Sequence, residues 1–283
     1  QNAFNQDHNL SISGGIKKMP FRVSLGYTDQ DGILKKKNMD RKTLALAIDP
    51  KFFDDHLKVN LNVKGMYTDN NFSVDDAIGA AVAFDPTQPV MNGNTRFGGY
   101  TTFVNISEVN PDGSINVNGD PNAIATKNPV AMIEQTDNKA TVKRSIGNAQ
   151  FDYKFHFLPE LRANLNVGYD LSSSKGHNNC DTIAAFTFRD GIGRKQTYTQ
   201  TLKNQLLDFY LNYVKDLSAI NSKIDITAGY SWQYFYREKE EIKQNLVAPI
   251  KIDTTGYKSE NYLVSFFGRI NYTLLDRYLI TFT

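Results

Sequence analysis

Apolar and polar residues alternate along much of this chain, so that every second side chain is apolar. In 161–170, Leu165 and Val167 stand at odd positions, whereas Arg162 and Asn164 stand at even ones. Successive side chains of a β-strand point to opposite faces, so this period of two predicts strands with one apolar and one polar face. A tilted strand of about 9–11 residues is long enough to cross a bilayer.

The same alternation recurs in about ten segments. They are 9–16, 21–27, 43–49, 57–67, 151–157, 161–170, 207–213, 224–236, 262–272 and 278–282. Short links lie at 17–20, 50–56, 158–160, 216–223 and 274–276, and the intervening links are 28–42, 68–145, 171–204 and 237–261. Transmembrane barrels combine short turns at one end with long external loops at the other. The chain is therefore predicted to be an all-β, antiparallel transmembrane barrel segment with a long external loop at 68–145.

Aromatic residues also point to a membrane interface. Four of them share one face of segment 224–236, beyond its apolar start: Tyr230, Trp232, Tyr234 and Tyr236. An apolar band that ends in Tyr and Trp fits the aromatic girdle of a membrane protein. The alternative is a Tyr-rich soluble β-sandwich, although the loops of a sandwich rarely sort by length in this way.

Charged residues fall on the polar side of the predicted strands: Lys58, Lys64, Asp152, Lys154, Arg162, Asp208, Asp225 and Arg269. A dry core does not tolerate so many charges, whereas a water-filled lumen or an internal plug solvates or pairs them. The last segment stops at Thr283 without a finishing turn. We therefore expect the chain to be part of a larger barrel, truncated at both ends.

Composition and charge exclude several other classes of protein. The net charge is +2 and the longest basic run is Lys35-Lys36-Lys37, so nucleic-acid binding has no electrostatic footprint. The single Cys180 has no disulfide partner. The longest apolar stretch, 77–84, is far short of the roughly 20 residues that a membrane-spanning helix needs.

The four histidines give no metal-binding pattern. His8, His56, His156 and His177 lie far apart in the sequence, with His56 in a predicted turn and His156 on a predicted inward face. No pair has the spacing of metal ligands on a helix. We therefore predict no metal, no cofactor and no enzymatic activity.

Several stretches carry a family resemblance. They are His8 to Gly15 (HNLSISGG), Phe21 to Tyr27 (FRVSLGY) followed by Asp31-Gly32-Ile33, Asn128-Pro129-Val130-Ala131, and Phe267 to Tyr272 (FGRINY) followed by Asp276-Arg277-Tyr278-Leu279. In order and spacing, the chain resembles the SusC/RagA-like TonB-dependent outer-membrane transporters. The resemblance covers most of the chain.

That resemblance implies an outer-membrane barrel of about 22 strands that is closed by an N-terminal plug domain. Residues 1–283 then form roughly the first half of the barrel wall, and neither the plug nor the energy-coupling box is among them. The implied partners are a SusD-like surface lipoprotein, the TonB complex acting through the plug region, outer-membrane lipid, and a glycan or peptide substrate. The implied location is the outer membrane of a Gram-negative cell.

A helix is predicted inside the longest loop. Ser73 can cap it, Asp75 and Asp76 fall in its first turn, and Asp85-Pro86 ends it after Val82. Because this helix is mostly apolar, it needs a surface to pack on. Neighbouring loops could supply that surface, and so could the capping lipoprotein or the plug.

Farther along the same loop, the stretch 92–103 sets aromatic residues among small polar ones. Aromatic rings stack on sugar rings or peptide side chains, and Asn and Arg side chains add directional hydrogen bonds. The candidate substrate-binding residues are Arg96, Phe97, Tyr100 and Phe103, with ordinary loop packing as the alternative.

The sequence thus favours active import of a large nutrient, an oligosaccharide or an oligopeptide. Two other hypotheses stay open at this point: a surface adhesin that binds a partner through its loops, and a soluble carbohydrate-active β-sandwich.

Overall fold

The computed structural model describes residues 3–17, 19–105, 110–190, 193–247, 249–275 and 277–283. Lys18 and Asp276, which the sequence places in the first and last short turns, lie outside these residues. The described strands form one 11-stranded sheet. They are β1 (Asn5–Ile16), β2 (Met19–Asp31), β3 (Asn38–Ile48), β4 (Lys51–Phe52), β5 (Leu57–Asn71), β6 (Thr136–Lys154), β7 (Leu161–Cys180), β8 (Arg194–Leu217), β9 (Ser222–Asn245), β10 (Ile252–Leu274) and β11 (Tyr278–Phe282).

The sheet is an antiparallel meander. Strands are neighbours in the order β1-β2-β3-β5-β6-β7-β8-β9-β10-β11, and the two-residue β4 pairs only with the start of β5. Each predicted strand coincides with an observed one, so the all-β antiparallel fold is confirmed. Within the described residues, one continuous sheet takes the place of the two packed layers that a sandwich requires.

The strands extend much farther than the alternation predicts. β8 and β9 each contain 24 residues and β10 contains 23. The predicted links are therefore too long, including the long loop at 68–145. β5 continues to Asn71 and β6 begins at Thr136, and the predicted links 28–42, 171–204 and 237–261 likewise lose residues to the strands on either side. Both faces of these extensions are polar, so no apolar alternation marks them. Their backbones pair nonetheless, as Ser174 does with Gln200.

The register separates two faces of the sheet. Residues directly opposite each other on paired strands share a face. One such row contains Leu57, Tyr153, Ala163, Leu211, Ala228 and Gly268, and it belongs to what we call the apolar face. The eight charged residues predicted to share the polar side all lie on the opposite, polar face. There Arg162 donates to both carboxylate oxygens of Asp152, at 3.0 and 2.6 Å.

Aromatic rings line the apolar face of β9 and β10. Trp232 stacks on Tyr234 with ring centroids 6.1 Å apart, and Tyr234 lies 4.9 Å from Tyr262 across the strand pair. Below them, Tyr230 contacts Phe266 at 5.3 Å. The aromatic residues of segment 224–236 thus form the cluster that the sequence predicts, extended by the neighbouring strand.

Helices are short and belong to the connections. They are α1 (Asp76–Ala83) and α2 (Pro129–Glu134), with 3-10 turns at Ala185–Asp190 and Ser218–Ile220. None of the helices in the described part of the chain has the length and apolar character needed to cross a membrane.

The predicted cap of α1 is wrong. Asp75 occupies the N-cap position, and its side chain makes no capping hydrogen bond. The Ser73 hydroxyl is buried without a hydrogen-bond partner among the described residues. A helix that starts three residues later than Ser73 leaves its first free N–H groups beyond the reach of that hydroxyl.

Adjacent residues on opposite faces allow a direct test of the two-faced sheet. We expect Val167→Lys, on the apolar face, to destabilise the protein by about 2–4 kcal/mol, because an ammonium group would then face lipid. Asn166→Lys, one residue away on the polar face beside Asp208, is the matched control and should cost little. Urea unfolding of the protein in lipid vesicles measures both. Equal costs for the two variants would contradict the assignment of the faces.

Candidate functional site

Three connections meet at one end of the sheet and form what we call the loop cluster: the described residues of 32–37, 72–135 and 181–193. The Lys36 ammonium donates to the carbonyl oxygen of Glu134 at 2.7 Å, which joins the first connection to the second. The side-chain amide of Gln135 donates to the carbonyl oxygen of Phe97 at 3.0 Å. The backbone N–H of Asp181, in the third connection, donates to the carbonyl oxygen of Gln135 at 3.4 Å. These bonds hold all three connections together.

The stretch 92–103 folds around the buried side chain of Asn94. Its amide donates to the carbonyl oxygen of Tyr100 at 2.6 Å, and its oxygen accepts from the backbone N–H of Phe97 at 2.6 Å. Gly98 and Gly99 adopt φ values of 68° and 85°, which are costly for residues with a Cβ. The stretch 92–103, which carries the candidate residues and which we call the tip, therefore has a defined shape without regular secondary structure.

Arg96 contacts two neighbouring segments of the loop cluster through its guanidinium. Its guanidinium donates to the carbonyl oxygen of Asn118 at 3.0 Å and pairs with Asp120 at 2.8 Å. The same group lies over the rings of Phe97 and Phe188, 5.1 and 5.6 Å from their centroids. Arg96 thus links 92–103 to 118–120 and to the third connection, and both of these polar contacts are made by the same nitrogen, Nη1.

Three of the four candidate residues share one cavity. Phe97, Tyr100 and Phe103 line it together with Phe186, and its volume is about 40 Å³. Phe97 is only 3% exposed, and Phe103 also packs on Phe84 with centroids 5.4 Å apart. Arg96 does not line this cavity. A space of that size holds water and is too small for a sugar ring.

Asn128, which is part of the family resemblance, begins α2 and fastens it. Its side-chain oxygen accepts from the backbone N–H groups of Val130 and Ala131, at 3.1 and 3.2 Å. Its amide donates to the carbonyl oxygens of Val90 and Thr101, at 2.9 and 3.2 Å. One side chain thereby caps the helix and holds it to the stretch that carries Tyr100 and Phe103.

The sequence prediction missed a cluster of ion pairs, which we call the lysine clip. Lys35 pairs with Glu134 at the end of α2, Lys36 pairs with the same carboxylate at 3.5 Å, and Lys37 pairs with Asp75 at 3.2 Å. Hydrogen bonding from Lys35, with the charges of both lysines, lowers the pKa of Glu134 below its ordinary value. The basic run Lys35-Lys36-Lys37 was the sequence feature that could have indicated these ion pairs. Its partners, however, lie far away in the sequence.

The histidines differ from expectation in one respect. His156 does not lie on an inward strand face, because β6 ends at Lys154 and His156 lies in the following turn. Its ring stacks on that of His56 at 3.9 Å, so two histidines that are distant in sequence are neighbours. Within the described residues, no group of three or more His, Cys, Asp or Glu side chains could hold a metal ion.

The lysine clip predicts a pH dependence. Because the folded-state pKa of Glu134 is lowered, its contribution to loop docking is present above its ordinary pKa of 4.5 and is lost as pH falls below that value. Hydrogen exchange of 32–37 in the protein should therefore rise as the clip opens, after correction for the intrinsic pH effect on exchange. Glu134→Gln should show the open-state exchange already at neutral pH. A variant that stays as protected as the parent would contradict this role.

Comparison with known proteins was made for the whole chain. No protein-family model matches it. The TonB-dependent receptor SusC of Bacteroides thetaiotaomicron is 38% identical over 99% of this chain, and the TonB-dependent receptor P3 of Formosa agariphila is 27% identical over 97%. The chain spans 28% of the length of SusC and 27% of that of P3.

Solved structures give the same fold. The structure of the RagAB peptide transporter superposes with a TM-score of 0.70 over 98% of this chain and 31% of that one, at 16% identity. A RagAB peptide importer in its closed-closed state gives a TM-score of 0.67 over 95% of the chain. Sequence and fold agree: along nearly its whole length the chain is similar to the SusC-like TonB-dependent receptors, and it has the fold of part of their β-barrel.

Proposed function

We propose that the protein containing this segment imports a large polar nutrient across the outer membrane by TonB-dependent transport. The observation that carries the proposal is the identity of 38% to the receptor SusC along 99% of the chain. A sheet with one apolar face and one charged face, topped by folded loops, supports it. Energy coupling through a plug domain and TonB belongs to other parts of the receptor.

The proposed cargo is an oligosaccharide or, as second choice, an oligopeptide. Rings among amide side chains, as in 92–103, suit the apolar faces and hydroxyl groups of sugars. The oligopeptide has support of another kind, since a protein of the same fold is described as a peptide transporter.

Within the loop cluster we assign different roles to the four candidate residues. Tyr100 and Phe103 are half-buried and line a common cavity, so a modest loop movement would offer their rings to the cargo. Arg96 and Phe97 hold the tip in place, through the ion pair with Asp120 and through burial. This division extends the sequence prediction, in which all four residues contact substrate.

Uptake assays with cells that carry the complete receptor test this proposal. Tyr100→Ala combined with Phe103→Ala should lower uptake of a labelled oligosaccharide or oligopeptide about tenfold, because two contact rings are removed. Phe157→Ala is the control, since this exposed aromatic residue lies in a turn at the opposite end of the sheet. Cargo that binds at the surface yet never enters cells with the intact receptor would favour the adhesin hypothesis instead.

We further propose that a SusD-like lipoprotein covers the loop cluster and contacts α1. Only Ala77 of this helix is buried, whereas Ile78 and Val82 are 55% and 85% exposed. They are four residues apart and share a helix face, which forms an apolar stripe without a partner among the described residues.

Copurification of the lipoprotein with tagged receptor tests the contact with α1. Ile78→Glu with Val82→Glu should lower the recovered lipoprotein at least about fivefold, because two carboxylates would enter an apolar interface. Gly79→Glu with Ala83→Glu places the same charges on the adjacent stripe of the helix and is the matched control. Unchanged recovery in the first variant would exclude α1 from the interface.

A further inference from the structure

An open groove of about 850 Å³ crosses the apolar face of the sheet, away from the loop cluster. Two adjacent cross-strand rows form it. One row runs through Leu25, Leu44, Gly65, Ser145, Leu171 and Lys203, and the next contains Lys42, Tyr67 and Lys143. Gly65 lies in the floor of the groove, and a Cβ added there would meet nothing within 4 Å. Small floor residues between long neighbours thus create the depression.

The groove is positively charged. Lys42, Lys143, Lys203 and Arg144 line it, and no Asp or Glu does. The charge of Arg144 is compensated, since its guanidinium pairs with Asp170 on the polar face at 2.7 Å. Lys143 lies 5.8 Å from the ring centroid of Tyr67, and Lys203 lies 5.1 Å from that of Tyr236. Neither ammonium group pairs with a carboxylate within the described residues. Cation–π contact leaves their charge available to an anion.

Of the three lysines, only Lys42 has an acidic neighbour, since its ammonium lies 3.3 Å from Asp40. The Lys42 side chain is 61% exposed, so this surface pair is weak and easily exchanged for another anion. The groove therefore offers two uncompensated positive charges and a third that is loosely compensated.

The position of the groove along the strands indicates the depth in the membrane at which these charges lie. Toward the short-turn end, the same face continues through apolar residues such as Leu46 and Val63. Toward the loop end, the strands become polar on both faces. Lysines are tolerated where apolar surface gives way to headgroups, because the stem stays in the apolar layer while the ammonium reaches the polar one.

We propose that this groove binds a phosphate-bearing lipid of the outer leaflet. The phosphorylated headgroup lies across the three strands that carry Lys42, Lys143 and Lys203, which together span four strand spacings of about 4.8 Å each, and an acyl chain runs along Leu44 and Leu171 into the apolar band. Charge complementarity and continuity with the lipid-facing surface favour a lipid over a peptide or a soluble anion. The proposal needs only the outward orientation of the apolar face and is independent of the cargo.

The experiment uses the complete receptor, purified in mild detergent and titrated with diphosphorylated lipid A. Bound lipid is counted by native mass spectrometry. The variant Lys42→Gln/Lys143→Gln/Lys203→Gln should bind about tenfold more weakly or worse, because three cations near a phosphate are lost. The matched control Lys58→Gln/Lys64→Gln/Lys154→Gln removes three lysines from the polar face and should bind like the parent.

Two further arms separate the sources of affinity. Lipid A from which the phosphates have been removed should bind the parent as weakly as the intact lipid binds the groove variant. Inorganic phosphate should not displace the intact lipid, since it lacks the acyl chains. A heat-dependent gel shift confirms that both triple variants are folded, and the single variant Lys143→Gln replaces the groove triple if that one fails to fold.

The proposal is overturned by equal binding of the parent and the groove variant. It is also overturned if the polar-face control loses as much affinity, because general charge would then be responsible. If the dephosphorylated lipid binds as tightly as the intact lipid, the lysines do not bind its phosphates, and the proposal is also overturned. Displacement by inorganic phosphate would show an anion site that does not select lipid.

Discussion

Inside a bilayer no water is present to satisfy a peptide group, so every backbone N–H and C=O of a spanning strand must pair with the next strand. That requirement places every strand from β1 to β11 beside a hydrogen-bonded neighbour. Because side chains alternate, the register of this pairing decides which residues meet lipid. A slip of one residue in β7 would bring Arg162 and Asp170 to the apolar face in place of Leu161 and Tyr169. The charged face, the aromatic cluster and the lysine-lined groove all follow from this ladder.

The loop cluster obeys the same requirement by other means. Beside bonds between backbone groups, many of its backbone groups pair with side-chain amides, because it has little regular secondary structure. Asn94, Asn118 and Asn128 each bind groups from two or more points of the chain. Amide side chains carry both donors and acceptors, which suits them to replace a missing backbone partner. The abundance of Asn in this loop therefore has a structural reason in addition to any contact with cargo.

Prediction from sequence succeeded for features that depend on residues close together in the sequence. The alternation of apolar and polar residues located the strands and their two faces, because one face of each strand is apolar and the other is polar. It failed for the upper half of β8, where both faces are polar and only cross-strand pairing defines the strand. The candidate residues were found as a group, but the ties of Arg96 to Asp120 and Phe188 depend on tertiary contacts. The lysine clip was missed for the same reason, because Lys35 and Glu134 are 99 positions apart in the sequence.

The length of the paired strands decides how far the loop cluster stands from the membrane. At roughly 3.3 Å per residue, the 24 residues of β8 extend about 80 Å, against a hydrocarbon core of about 30 Å. Even with a tilt of about 45°, part of β8 rises above the lipid as a hydrogen-bonded stalk. A flexible tether would let the loop cluster adopt many orientations. A stiff stalk holds it in one, so under the proposed function little conformational entropy would be lost when a large cargo binds.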